Sequence, residues 1–494
     1  MMNSKQIESP QLVYINNNDV SNNFIQESDT PSTYGLVGLI NIENTCYMNS
    51  AIQAFSHNYL LTNYFFNHEE EIKTILLRNA GRILKDNDAF QTTSLAKKAH
   101  LDIVPESLKI KICDLEYHPN TLTETDMTIV LNHTITFQLI KLLKIMWSIV
   151  SNHNIIPTSF YTLFSEARDK FFYGHEQHDA EEAYSCILQK VQEELAEEKK
   201  INFVPHKQSI CDFLSYKNKI AELLKNANLE DKRLLLDAYY NKKKEMPVES
   251  LTIEAYREMK NYYSTNYSRI TEIFSGFLHS STNCPDPNCN YSSNKFDPYL
   301  HLFLSIPATR RDGTYANSPV GGFGPNTTRP STFWDRYSNE LTIEDCLAEY
   351  CKTEILDDQN LWKCGGCNTL VRAVKKLEIW RAPPVLVIGF KRFGEDRARK
   401  DIRMIRYPIK NFDIGPYMSK PQQRPEKCTT YRLQCVINHI GSASGGHYFS
   451  YCIDEDTNKW HEFNDQNVNE IDANCIINRN AYLLFYVRED FINS

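Results

Sequence analysis

The sequence has no uninterrupted apolar run long enough to cross a membrane. Its longest apolar stretch, Ile135 to Val150, is broken by Lys141 and Lys144. A bilayer span needs about 20 consecutive apolar residues, so this stretch is expected to be a core helix. The N-terminus lacks the basic-then-apolar layout of a secretory signal, and an intracellular setting, cytoplasmic or nuclear, is expected. Positive charge is not in excess: 54 Lys and Arg stand against 62 Asp and Glu, a net charge of -8. That balance argues against a general nucleic-acid binder and suits a basic partner. No internal repeat of fixed period is visible, which argues against an arrayed solenoid. Neither nucleic acid nor membrane is therefore expected as a partner.

What is present is ordinary for a globular chain: 41% hydrophobic and 23% charged residues over 494 positions. That length fits about three domains, or one elaborate domain with insertions. Fourteen cysteines would suit a secreted disulfide framework. Without a secretory signal they read as free thiols and metal ligands in a reducing compartment. Cys284 with Cys289, and Cys364 with Cys367, form two close pairs. Four thiolates from two such pairs make a closed tetrahedral zinc site, structural rather than catalytic. Cys186, Cys435 and Cys452 sit in apolar surroundings and read as buried packing residues.

Residues 1–34 are polar and Asn/Ser-rich, and read as a disordered arm or weakly docked segment. Helical spacing follows Cys46, with Ile52, Phe55 and Tyr59 recurring at three or four, so Cys46 should open a helix capped by Asn44-Thr45. A second helix is expected over Asp179 to Lys199. From about 202 to 270 the chain is Lys/Glu-rich and helical in pattern, and reads as an insertion. Residues 310–339 read as a mobile loop. Strand signals then dominate: Val385 to Ile388, Tyr431 to His439, His447 to Ile453 and Ala481 to Val487. Helices early and strands late predict an α+β fold with an antiparallel sheet.

The chemistry-bearing residues lie far apart in sequence. Cys46 would sit at a helix N-terminus, which favours a thiolate. His447 follows Gly445-Gly446, so its backbone can approach other segments closely. Such a histidine would take the Cys46 proton and later give it to a leaving amine. Asn464 and Asp465 are the candidates to orient its ring. A thiol, an imidazole and an amide or carboxylate are the parts of a cysteine hydrolase. Taken by spacing alone, Cys46 as a packed helix cysteine and His447 as a strand histidine remain an alternative.

The segment Gly38-Leu39-Ile40-Asn41-Ile42-Glu43-Asn44-Thr45-Cys46-Tyr47-Met48-Asn49-Ser50 resembles the Cys box of the ubiquitin-specific protease family. Tyr431 to Val487 is similar to its His box, and Gln177-His178-Asp179-Ala180 to its Gln-Gln-Asp-Ala segment. Leu341 to Phe393 is similar as well. The likeness spans most of the chain from Gly35 to Arg488. It implies a papain-like thumb, palm and fingers over 35–494, with the fingers at about 271–380. It implies Cys46 as nucleophile, His447 as base, Asn464 as third member with Asp465 assisting, and Asn41 as donor to the oxyanion. Gln177, Asp179 and Glu182 match positions that hold the Arg-containing, Gly-Gly-ended tail of ubiquitin. The two thiol pairs match the fingers' zinc ribbon, although the first has four intervening residues where the family often has two. The implied partners are ubiquitin and ubiquitinated proteins, and the implied activity is thiol-dependent deubiquitination. Two other activities are kept beside it: a catalytically inactive ubiquitin-binding scaffold, and a protease for a ubiquitin-like modifier. The family's usual glycine is Glu43 here, a costly residue if that position needs a positive φ.

Overall fold

A computed structural model of the chain describes residues 11–13, 34–83, 124–148, 153–167, 171–174, 176–199, 207–289, 291–308, 341–393, 400–419, 428–442 and 445–492. The loop expected at 310–339 lies outside them. So does the N-terminal arm, apart from Tyr34 and one strand. That strand, Gln11–Val13, pairs in parallel with His153–Ile155, which pairs on its other side with Gly38–Leu39. For this short piece of the arm the docked alternative holds: it is paired in a sheet.

The described helices between Cys46 and Leu195 form a helical thumb. Its centre is the Cys46–Ser56 helix, whose 11 residues are all buried. It lies between the Ala180–Leu195 helix and the palm strand Gly445–Asp454. The expected Asp179–Lys199 helix is shorter at both ends. Asp179 is its N-cap, and the chain turns extended at Ala196, where Glu197 bridges to Tyr267. The Ile135 stretch is a helix to Ser148, buried along Leu139, Ile140, Leu143 and Met146. Its first backbone N–H groups are met by a buried carboxylate: Glu194 accepts from Ile135 N at 2.9 Å and Thr136 N at 2.7 Å. Burial is the main influence on that carboxyl and raises it to about 7, against the lowering effect of those hydrogen bonds.

The palm is an eight-stranded sheet. Its order runs Asn467–Ile471, Lys459–Asn464, Gly445–Asp454, Thr430–Ser442, Ala481–Arg488, Val385–Phe390, Leu302–Leu304, with Phe412–Asp413 pairing beside Thr430–Ser442. Pairing is antiparallel except between Leu302–Leu304 and Val385–Phe390. Every residue of Ala481–Arg488 and Val385–Phe390 is buried, because both faces of the sheet are covered. Val385, Val387, Leu483 and Phe485 face the thumb core, while Leu386, Ile388, Leu484 and Tyr486 face a second core. The period of two thus assigns alternate side chains to opposite layers.

The fingers are a four-stranded sheet in the order Ser292–Tyr299, Gly276–Asn283, Val374–Arg381, Glu354–Ile355. A hairpin of Trp362–Lys363 and Leu370–Val371 extends them. The 202–270 region contains three long helices: Gln208–Asn226, Leu229–Glu245 and Pro247–Asn266. The third packs Ala255, Met259 and Tyr263 against Phe277, Phe296 and Trp380 at the fingers' base. The middle one buries no residue. The fold is α+β, with helices before strands as the sequence order suggested.

Candidate active site

Cys46 is the first residue of its helix and is 4% exposed. The loop before it turns through two left-handed residues, Glu43 at φ 50° and Asn44 at φ 64°. Asn tolerates that region, but for Glu it costs about 1–2 kcal/mol. The condition that makes Glu43 an expensive replacement for glycine is therefore met. Thr45 occupies the N-cap position without capping. Its Oγ1 instead accepts from Ile42 N at 2.9 Å, and its own N–H donates to Asn41 Oδ1 at 2.8 Å. The capping role expected of Asn44-Thr45 is thus replaced by loop closure. No Thr45 hydroxyl occupies the first-turn N–H groups of the helix that carries the sulfur.

His447 stands on the Gly445–Asp454 strand, beside the Lys459–Asn464 strand that ends in Asn464. Its Nε2 lies 2.7 Å from Asn464 Oδ1. An Nε2–H donating to that carbonyl leaves Nδ1 for the Cys46 side chain. Hydrogen bonding toward Cys46 is the largest influence on His447 and raises it to about 9; burial opposes it, and the Asn464 bond adds to it.

Asp465, the next residue, takes the left-handed conformation at φ 51°. Both of its carboxylate oxygens are engaged away from the ring. Oδ2 accepts from Asn41 Nδ2 at 2.9 Å, and Oδ1 from Asn49 Nδ2 at 2.8 Å. Its carbonyl accepts from Leu39 N at 2.9 Å. Close approach here needs Gly38, where a Cβ would lie 2.4 Å from the Gln466 carbonyl oxygen. Asp465 therefore ties the turn after Asn464 to the Asn41 loop and to the Cys46 helix. Its effect on His447 is through charge. One N–H of the Asn41 amide is held by this carboxylate.

Gly446 is required by crowding. A Cβ there would lie 2.2 Å from His439 Nε2 and 2.3 Å from the Ile440 carbonyl oxygen. Its N–H donates to Gln177 Oε1 at 2.9 Å, so Gln177 pins the strand entry that precedes His447. His439 is 3% exposed, and burial, then Lys400 and His447, lower it to about 4. It is a neutral ring at pH 7.

Asp179 caps the Ala180–Leu195 helix, accepting from Glu181 N at 2.7 Å through Oδ1. Its Oδ2 accepts from Tyr482 OH at 2.7 Å. Burial is the main influence on its carboxyl and raises it to about 6, against both hydrogen bonds. Glu182 sits in the same first turn, half-buried. The structure thus brings Cys46, His447, Asn464, Asp465, Asn41 and Gln177 into one connected group, with Asp179 joined to the palm through Tyr482.

The four paired cysteines lie apart from this group, in the fingers. Cys284 and Cys289 flank the turn between two fingers strands, and Cys364 and Cys367 lie in the extending hairpin. Their sulfurs all fall within 4.8 Å of one another, a group able to hold a metal ion. Cys284 Sγ is 3.9 Å from Cys367 Sγ, and Cys289 Sγ is 3.5 Å from Cys364 Sγ. Tetrahedral Zn–S bonds of about 2.3 Å place sulfurs about 3.8 Å apart, so the set fits zinc. The longer first spacing still brings both of its sulfurs into the group.

Sequence reasoning did not single out Asn49, Tyr482 or His439. Asn49 was visible within the Cys box, three residues after the thiol. Tyr482 and His439 lie on strands whose apolar patterning hides a polar partner role.

A family model described as ubiquitin carboxyl-terminal hydrolase matches residues 37–486. A probable ubiquitin carboxyl-terminal hydrolase, R319, of Acanthamoeba polyphaga mimivirus is 43% identical over 497 residues, covering 100% of this chain and 99% of that protein. Ubiquitin carboxyl-terminal hydrolase 2 of Bos taurus is 26% identical over 461 residues, 93% of this chain and 56% of that protein. This chain therefore spans little more than half the length of that relative. Among solved structures, the Ubp8/Sgf11/Sus1/Sgf73 DUB module of SAGA bound to ubiquitin aldehyde is similar in fold, with TM-score 0.52 and 20% identity over 93% of this chain and 71% of that one. The chain belongs to the ubiquitin carboxyl-terminal hydrolase family.

Proposed function

We propose that the chain is a thiol-dependent deubiquitinase, hydrolysing the amide bond at the C-terminal glycine of ubiquitin through an acyl-enzyme on Cys46. The observation that carries this reading is the row Cys46, His447, Asn464, with a 2.7 Å contact fixing the imidazole. The sulfur attacks the carbonyl carbon and forms an S–C bond as the carbonyl becomes an oxyanion. The Asn41 amide and the first-turn N–H groups of the Cys46 helix are the donors for that charge. The tetrahedral species collapses, the C–N bond breaks, and His447 protonates the leaving amine. Water then attacks the thioester, with His447 taking its proton.

Ubiquitin carrying a C-terminal propargyl group tests the reading. Covalent coupling that Cys46→Ala abolishes is expected. Binding of ubiquitin without coupling would replace the reading by an inactive scaffold, for which the left-handed Glu43 is the motivating feature. No binding at all would favour a ubiquitin-like modifier as substrate.

Asp179 and Glu182 are proposed to hold the tail's arginines. A guanidinium needs the ionised carboxylate. Asp179 has its acid form raised to about 6 in the free protein, so binding an arginine draws its proton off. KM for ubiquitin substrates is therefore expected to rise as pH falls through about 6, approaching tenfold per pH unit below it. Asp179→Asn should raise KM near pH 7 and flatten this profile. A wild-type KM that stays level from about pH 7.5 to 5 would remove Asp179 from tail binding and leave it as a helix cap.

The cysteine group in the fingers is proposed to hold structural zinc through Cys284, Cys289, Cys364 and Cys367. Gly366 N–H donates to Cys364 Sγ at 3.3 Å, a bond that favours a thiolate. Such an ion supplies folding free energy and leaves no open position for catalysis. About one equivalent of zinc should copurify, and Cys364→Ser should lower the melting temperature. Folded, active protein with under about a tenth of an equivalent would reject the site.

A further inference from the structure

We propose that Cys435 and Cys452 are an oxidisable dithiol site beneath the active centre, which a peroxide closes to a disulfide. The two residues are direct partners across the antiparallel pair Thr430–Ser442 and Gly445–Asp454. Opposed residues in such a pair have Cα atoms about 4.5–5.5 Å apart, inside the range a disulfide spans. Their sulfurs are 3.2 Å apart. Closure to a bond of about 2.05 Å needs an approach of only about 1.1 Å. A register shift beside Cys435, in its pairing with Ala481–Arg488, gives that strand a local irregularity.

A second observation concerns what faces the Cys452 sulfur. His57 is buried, with Nδ1 held 3.0 Å from the Gln53 carbonyl. Its Nε2 finds no hydrogen-bond partner of ordinary length, and neither does Ser450 Oγ. Both groups act on the Cys452 sulfur, which also lies 3.8 Å from the Gln53 carbonyl. Burial pushes the Cys452 thiol up, but Cys435, His57 and Ser450 together bring it down to about 6. Two sulfurs in contact, one of them with its thiol lowered, are the arrangement that oxidises to a disulfide. A sulfur with no exposed surface reacts only when the strand opens locally, and peroxide is small enough to use such openings.

The Cys452 sulfur attacks a peroxide oxygen; the S–O bond forms, the O–O bond breaks, and hydroxide leaves and is protonated to water. Cys452 is then a sulfenic acid. Cys435 gives up its proton and attacks the Cys452 sulfur; the S–S bond forms and the second oxygen leaves as water. Two thiols and one hydrogen peroxide give one disulfide and two waters, the peroxide taking the two electrons. The bond would tie the strand of His447 to its neighbour, five residues from that ring, against the helix led by Cys46.

The test uses the full chain as Cys46→Ser, which removes the competing nucleophile. The native protein is treated with hydrogen peroxide, quenched with an alkylating reagent in denaturant, and digested without reduction. A linked peptide joining Cys435 and Cys452 is expected, about 2 Da lighter than the two free peptides and reversed by dithiothreitol. The same treatment after unfolding in guanidinium chloride should lose this preference. In Cys435→Ala, dimedone should trap Cys452 as the sulfenic acid. Recovery of both residues as free alkylated thiols, at a dose that has fully oxidised the exposed Cys475, would overturn the proposal. The readout is a mass, so it fails or succeeds independently of the deubiquitinase reading.

Discussion

Cys46→Ala is expected to abolish turnover of a ubiquitin coumarin amide, lowering kcat/KM by on the order of 10⁵-fold. In the proposed mechanism the sulfur makes the bond that splits one difficult hydrolysis into two easier steps, and alanine offers nothing in its place. Folding should survive. Cys46 is one buried side chain at the head of a helix, and alanine is the residue a helix accepts best. The substrate contacts proposed above lie elsewhere, at Gln177, Asp179 and Glu182, so on that proposal ubiquitin should still bind with a dissociation constant within a few-fold of wild type. Steady-state kinetics and a binding isotherm on the same preparation measure both halves. Residual turnover within about a hundredfold of wild type would mean that another group performs the chemistry.

The parts of this site were unequally legible in the sequence. The helix at Cys46 and the strand at His447 follow from periodicity, because each buries a regular stripe of side chains. Asn464 could be offered as a partner for the ring from its order along the chain. The residues by themselves left Asn464 and Asp465 both open, the family resemblance favoured Asn464, and the hairpin's register supplies the physical reason. The left-handed φ of Asp465 aims its carboxylate at Asn41 and Asn49, while Asn464, ending its strand, meets His447. Thr45 looked like a cap because Thr caps helices often. Its hydroxyl closes a tighter local loop to Ile42 instead, a competition that only three-dimensional geometry decides. The helix after Asp179 ends at Leu195 rather than Lys199 because Glu197 pairs with Tyr267, a residue 70 positions on. Long-range bridges of that kind leave no local signature. The cysteine pairs were legible from spacing, and the four-residue gap between Cys284 and Cys289 closes over a turn in which Cys289 N donates to the Asp286 carbonyl at 3.0 Å.

His447→Ala should cost nearly as much as loss of Cys46, on the order of 10⁴- to 10⁵-fold in kcat/KM. In the proposed mechanism the two groups act as one unit: the ring takes the thiol proton, pairs with the resulting anion, and returns a proton to the leaving amine. The Cys46→Ala/His447→Ala double variant should therefore be no worse than Cys46→Ala alone. Asn464→Ala should cost less, because it removes the 2.7 Å contact that fixes the ring but leaves the base in place. A pH series on stability gives an independent reading of the same pair. His447 is raised to about 9 in the folded chain, chiefly by its hydrogen bond to Cys46, against about 6.5 when unfolded. The folded state then holds this proton more tightly. The stabilisation is fully present below about pH 6.5 and is lost as pH rises through about 9. The melting temperature of wild type minus that of His447→Ala should accordingly shrink between about pH 6 and 10. A difference that stays constant, together with more than a tenth of wild-type activity in His447→Ala, would detach the imidazole from the thiol and require another base.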